Sequence, residues 1–213
     1  MRKQFAALVV LLFTTSPLVA LAQTPKDSVI VSDEDVKAVL KRAVDTHRTI
    51  PDNMIRVIDM GEYQLGIAIV HRGAMGGTRK PTSNGGGGAV NPSQMCGEQR
   101  PDAKGPHGIL HDATDESYIV TSGSATLITG GTIINGRRSG PTSEITTTLN
   151  GPSCSGTMVG YTSRIIKEGD VVIIPEGVPH GFSAIPDHIT YLSLRPDLRK
   201  VLPHEYVNPA LKQ

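Results

Sequence analysis

HDATDESYIVTSG (residues 111–123) and GDVVIIPEGVPH (residues 169–180) are the two stretches whose reading decides the fold. Each sets an imidazole or a carboxylate at a strand position and punctuates the run with turn glycines: His111-x4-Glu116-x6-Gly123 in the first, Gly169-x5-Pro175-x-Gly177-x2-His180 in the second. Side chains of a strand alternate between faces, so Glu116, Tyr118 and Val120 share one face, while His180, Phe182 and Ala184 share another. Were both faces to turn into one small barrel, His111, Glu116 and His180 could converge as three metal-competent side chains.

Working outward, β-rich runs recur at 118–120, 125–128, 132–134, 145–149, 158–166, 171–174, 180–185 and 189–194. Turn residues separate them at Gly130-Gly131, Asn135-Gly136, Glu168-Gly169-Asp170, Glu176-Gly177 and Pro186-Asp187. Upstream, residues 54–60 and 63–70 flank Gly61-Glu62 and read as a hairpin. Many short strands with turn signals predict an all-β barrel or sandwich. One helix accompanies them. Ser32 caps it, Asp33, Glu34 and Asp35 fill its first turn, and Val36, Val39, Leu40, Ala43 and Val44 form an apolar stripe at helical spacing. The stripe is expected to pack on the outside of the barrel or on a partner chain.

Residues 73–105 are rich in Gly, Pro, Ser and Asn and include Gly85 to Gly88. No Gly-Lys-Ser/Thr follows, so this is not a phosphate loop. A loop of this length reads as a functional flap or rim, or as disorder. The chain from Pro196 lacks periodicity and is expected to lie against the outside or to exchange with a second subunit; a homodimer is one admissible assembly.

The N-terminus places Arg2 and Lys3 before an apolar run and then Ala20-x-Ala22, the pattern of a signal peptide cut after Ala22. The run is interrupted between Thr14 and Pro17, and a span needs roughly 20 apolar residues, so a membrane anchor is not the expectation. Cleavage leaves 191 residues, enough for one domain with a substantial core. The expected organisation is therefore a signal peptide (1–22), a helical segment (23–53), a barrel (54–197) and a tail (198–213). Losing Arg2 and Lys3 leaves 19 basic against 20 acidic side chains, a net charge of −1. Without a basic cluster, nucleic acid and anionic membrane surfaces are excluded as partners. Cys96 and Cys154 are the two cysteines, and both fall in loop-like composition. In a secreted or periplasmic protein such a pair reads as a disulfide, with free or metal-bound thiols as the alternative.

The two opening segments resemble the paired motifs of the cupin superfamily, G-x5-H-x-H-x3,4-E-x6-G and G-x5-P-x-G-x2-H-x3-N. The first is met at His111, Glu116 and Gly123, with Ile109 where the first His stands and Gly105 two residues too close. The second is met at Gly169, Pro175, Gly177 and His180, with Ala184 in place of Asn. The resemblance implies a double-stranded β-helix, or jelly-roll barrel, over about residues 54–195. It also implies one divalent transition ion, such as iron, manganese, nickel or zinc, held by His111, Glu116 and His180.

His107 shares parity with His111 but stands ~13 Å away along a regular strand, so it ligates only if a bulge or bend beside Gly105-Pro106 and Gly108 brings it closer. Otherwise it is a mouth residue. Tyr118 is a candidate proton donor or substrate-orienting group, or a core aromatic. Glu116 is read as a ligand before a general base. Two functions fit: a metal-dependent enzyme acting on a small polar or aromatic molecule by dioxygenase, isomerase or lyase chemistry, or a binding module holding a metal or small ligand without turnover.

Overall fold

The computed structural model describes residues 25–76 and 94–211. The expected signal peptide and most of the Gly-rich segment lie outside the described residues.

One helix, α1 (Asp33–Asp45), precedes ten strands: β1 (Asp52–Asp59), β2 (Gln64–Met75), β3 (Met95–Cys96), β4 (His107–His111), β5 (Glu116–Thr129), β6 (Thr132–Arg138), β7 (Ser153–Val159), β8 (Thr162–Lys167), β9 (Val171–Ile174) and β10 (His180–Asp197). All pairings between these strands are antiparallel. One sheet runs β1-β2-β10-β5-β9; the other joins β8 and β5 through the start of β10 to β4, β7, β6 and β3. The fold is the all-β jelly-roll barrel with one N-terminal amphipathic helix that the sequence predicts.

Two long strands belong to both sheets, and each changes phase midway. On β5, Glu116, Tyr118 and Val120 are buried, then Ala125 and Leu127. The switch falls at Gly123, whose φ of 75° is open to glycine and where a Cβ would stand 2.0 Å from the His188 carbonyl oxygen. On β10, His180 and Phe182 are buried, then Ile185, Ile189, Tyr191, Ser193, Arg195 and Asp197. The expected shared face of His180, Phe182 and Ala184 therefore ends at Phe182, because a register shift separates Phe182 from Ala184. The runs 118–120 and 125–128 are one bent strand, as are 180–185 and 189–194. The run 158–166 is instead broken between β7 and β8 at Gly160 (φ 69°).

Inside the barrel, Val70, Tyr118, Val120, Leu127, Phe182, Ile189 and Tyr191 pack into the principal core. Outside it, Val36, Val39 and Leu40 of α1 cover Ile55, Ile67 and Ile69 of the first sheet, as the stripe predicts. Val44 departs from that expectation and is exposed. The Ser32 hydroxyl accepts from the Asp35 amide and the Asp35 carboxylate from the Ser32 amide, closing a capping box. The tail lies on the outer edge of β1: Val57 N–H donates to the Tyr206 carbonyl and Asn208 N–H to that of Ile55.

Cys96 and Cys154 form a disulfide. It links β3 to β7 across β6, and Gly136 of β6 leaves the room, since a Cβ there would meet Cys154 Sγ at 2.8 Å.

Residues 145–149 depart from the strand expectation. They form a single π-helical turn, Ile145–Leu149, closed by the Asn150 amide on the Ile145 carbonyl. Local hydroxyls compete with a ladder here: Thr147 Oγ1 donates to the Ser143 carbonyl at 3.0 Å, and Thr146 Oγ1 accepts from Ser143 Oγ at 3.2 Å. This turn delivers Asn150 beneath the barrel's polar end.

Candidate metal centre

Three elements end at one place. His111 closes β4, Glu116 opens β5 and His180 opens β10, and all three side chains are buried. One nitrogen of each imidazole and one carboxylate oxygen lie within 4.8 Å of one another. Glu116 Oε2 stands 3.3 Å from His180 Nε2 and 3.8 Å from His111 Nε2.

The outer nitrogens fix the tautomers. His180 Nδ1 is 2.9 Å from the Val178 carbonyl, which can only accept, so Nδ1 carries the proton. Ser153 Oγ donates to the Gly151 carbonyl at 2.9 Å and therefore accepts from His111 Nδ1 at 2.9 Å. Both imidazoles thus turn unprotonated Nε2 atoms inward when neutral. His180 Nε2 and Glu116 Oε2 are then two acceptors facing each other, a contact that is favourable only with a cation between them, either a proton or a metal ion. Tethered Nδ1 atoms with convergent Nε2 lone pairs and one carboxylate oxygen form a donor set that fits a divalent transition ion.

Glu116 is held by more than the histidines. Its Oε1 accepts from Asn150 Nδ2 at 2.7 Å and pairs with Arg195 Nε at 2.9 Å; its Oε2 accepts from Tyr118 at 3.1 Å. Burial alone would raise this carboxyl, but the Arg195 guanidinium outweighs it and holds it well below the usual carboxylate range. Glu116 therefore stays ionised, which suits anchoring a cation better than shuttling a proton. Burial, opposed by Glu116, lowers His111 and favours its neutral form. Tyr118 is pushed well above the ordinary phenol range, first by burial and then by Glu116, so at neutral pH it keeps its proton and donates a hydrogen bond.

Arg195, Asn150 and Ser153 were not singled out in the sequence. Arg195 lies on the face of Tyr191 and Ser193, and its guanidinium also reaches the Leu149 carbonyl at 2.8 Å and Asp52 Oδ2 at 2.7 Å. The alternation from Tyr191 through Ser193 to Arg195 was the available signal. Asn150 and Ser153 sit in a stretch read only as a loop carrying Cys154.

His107 is not brought into the group. It occupies the far end of β4, opposite Thr157, and is exposed, because β4 runs straight and supplies no bulge that would fold the strand back. Ile109 pairs with His180 across the strands. His71 and His188 bond Thr190 Oγ1 at 2.8 Å and Ser122 Oγ at 3.1 Å, respectively, and lie apart from the centre.

No protein-family profile matches the chain, and no curated protein matches it significantly. Solved structures similar to it include a DMSP lyase, DddQ, from Ruegeria pomeroyi (14% identity, TM-score 0.31, covering 70% of this chain and 45% of that one). Others are BH2720 from Bacillus halodurans (12% identity, TM-score 0.36, covering 88% and 93%) and Peruvianin-I, a cysteine peptidase from Thevetia peruviana latex (12% identity, TM-score 0.36, covering 87% and 86%). The chain spans under half the length of the first of these. Similarity at this level says nothing of chemistry, and the site stands on its own geometry.

Proposed function

We propose that this chain is an exported, metal-dependent barrel enzyme of cupin type, acting on a small polar or aromatic molecule. The observation that carries the reading is the convergence of His111 Nε2, His180 Nε2 and Glu116 Oε2, with each Nδ1 tethered outside. His111, Glu116 and His180 are the proposed ligands. A divalent ion bound there supplies Lewis acidity and positions that small oxygen donors can take.

The protein's own groups do the rest. Arg195 and Asn150 fix Oε1 of Glu116 and leave Oε2 for the centre. Tyr118 holds its proton at Oη, beside Oε2, and can donate it as a hydrogen bond to an oxygen arriving there. Phe182, Tyr118 and Tyr191 line the interior with aromatic surface and keep water from it. Dioxygenase, isomerase and lyase reactions all fit these parts. Export rests on the N-terminal sequence, and the Cys96–Cys154 disulfide agrees with an oxidising compartment.

A second reading, binding without turnover, draws support from one observation: the three donor side chains are each no more than 5% exposed. Elemental analysis of the purified mature protein, followed by extraction and mass spectrometry of any retained organic molecule, tests the centre. A screen of oxidase, isomerase and lyase substrates with and without metal then separates the readings. Protein that stays metal-free after reconstitution with iron, manganese, nickel and zinc defeats the enzyme reading, and if it also retains no organic molecule it defeats the binding reading.

A further inference from the structure

Asn150 turns both hydrogens of its side-chain amide toward the metal centre. Its Nδ2 lies 2.7 Å from Glu116 Oε1 and 3.1 Å from His111 Nε2. Both atoms are acceptors: Glu116 is a carboxylate paired with Arg195, and His111 keeps its ring proton on Nδ1 against Ser153. The amide is therefore fixed with its nitrogen inward. Its backbone is held as firmly, since the Asn150 N–H donates to the Ile145 carbonyl and the Asn150 carbonyl accepts from Thr114 Oγ1 at 2.8 Å. Asn150, His111 and Glu116 are all buried.

Only one of the two amide contacts is compatible with a bound ion. His111 Nε2 has a single lone pair in the ring plane, and an N–H and a metal cannot share it. The bond to Glu116 Oε1 is under no such constraint, because Oε2 is the oxygen turned toward the imidazoles. Ser153 and Asn150 thus hold the same ring with opposite consequences. Ser153 takes Nδ1, which a metal leaves alone, and so supports the ligand; Asn150 takes Nε2, the ligating atom, and so competes for it.

We propose that Asn150 is a placeholder for the metal: its amide occupies the ligating lone pair of His111 in the empty centre and yields it on loading. The proposal rests on the reading of His111, Glu116 and His180 as ligands. Without the amide, the empty centre would leave His111 Nε2 buried and unsatisfied, which is unfavourable. With it, only the contact of His180 Nε2 with Glu116 Oε2 is left for a cation, so the barrel can fold empty and take up its metal afterwards. Every ion that binds must break the bond to His111, and the centre therefore holds metal less tightly than its three ligands allow. Arg195 also holds Oε1, so Glu116 keeps its orientation when the amide is removed.

The test is metal affinity, measured by competition against a chromogenic chelator in unsubstituted protein, Asn150→Leu and Asn150→Ala. Zinc is the probe, because a site of imidazole and carboxylate that holds iron or manganese holds zinc more tightly. Leucine keeps the volume without the N–H. Asn150→Leu should bind zinc about three- to tenfold more tightly, which is what one hydrogen bond to a neutral acceptor contributes. By linkage it should also lower the melting temperature of metal-free protein more than that of zinc-loaded protein. Unchanged affinity, or the roughly 10–100-fold loss that follows removal of a supporting group, overturns the placeholder and leaves the metal centre standing. Unsubstituted protein that takes up no zinc by elemental analysis removes the centre and the placeholder with it. Should Asn150→Leu fail to fold, Asn150→Ala supplies the same comparison. Should neither fold, scalar coupling between Asn150 Nδ2 and His111 Nε2 in isotope-labelled unsubstituted protein decides: coupling present without metal and lost with zinc supports the placeholder, and any other pattern refutes it.

Discussion

Arg195 Nε and Glu116 Oε1 meet at 2.9 Å as a buried ion pair, with neither side chain more than 5% exposed. The pairing divides the carboxylate between two tasks. Oε1 is taken by Arg195 and Asn150, and Oε2 is turned toward the two imidazoles.

Removing one member of such a pair leaves its partner charged and desolvated. Arg195→Met should therefore lose about 3–5 kcal/mol of folding stability, because Glu116 and Asp52 are both left unmatched. Urea denaturation of metal-free protein measures it, and a loss below about 1 kcal/mol would contradict the structural importance of the pair.

Metal content should follow the histidines. His111→Ala and His180→Ala are each expected to reduce bound transition metal to less than about a tenth of an equivalent after reconstitution, because two donors remain from three. Elemental analysis of both variants decides this, and retention of a full equivalent in either removes that residue from the ligand set.

Ser153 acts one step further out. Ser153→Ala frees the His111 ring from its Nδ1 partner, and metal affinity should fall by roughly 10–100-fold while the protein still folds. Competition against a chromogenic chelator provides the number; unchanged affinity would show that the hydroxyl does not orient the ring.

Stability should fall in acid. Glu116 is held well below its ordinary 4.5, so the stability it contributes is present above that value and is lost as pH falls toward its folded-state value. His111, lowered from 6.5 chiefly by burial, has the same sign: folding keeps it neutral, and its contribution declines as pH falls below 6.5. Metal-free protein should thus unfold at lower urea at pH 4 than at pH 6, and at pH 6 than at pH 8. A midpoint constant from pH 8 to pH 4 would refute the assignment.

The disulfide should be a substantial brace. Cys96 and Cys154 are separated by 58 residues, and closing a loop of that size contributes about 4 kcal/mol in the chain-entropy picture. The double substitution Cys96→Ser with Cys154→Ser should lower the Tm by several degrees in a thermal melt. An unchanged melt would show that the paired strands β3, β6 and β7 hold this corner without it.

The sequence carried the barrel and its three polar convergent residues because both depend on local alternation and on glycine spacing. His111, Glu116 and His180 each sit within a few residues of a turn, where strand parity is short-range and easily counted. Parity failed beyond Phe182 and Gly123, where bulges shift the phase by one residue. Asn150 was hidden for a different reason: residues 145–149 have β-branched composition, yet their hydroxyls satisfy a π turn instead of a ladder. Arg195 was hidden because a lone arginine at a strand end is ordinarily solvated, and its partner Asp52 is 143 residues away in the chain. His107 would have reached the centre only through a bulge in β4, and β4 pairs with β7 in regular register, so His107 stays at the exposed far end of the strand.

The phase shift in β10 has a consequence for how such a protein can diverge. His180 and Phe182 face inward on one parity and Tyr191 to Arg195 on the other, with the bulge between them. The two ends of a single strand are thus geared separately. A residue gained or lost within the bulge can be taken up there, without rotating the histidine end relative to the arginine end, whereas the same change elsewhere in the strand would turn one set of side chains out to solvent. The bulge works as a slip joint: it absorbs a change in chain length while His180 and Arg195, from the two ends of one strand, keep their grip on the same Glu116 carboxylate.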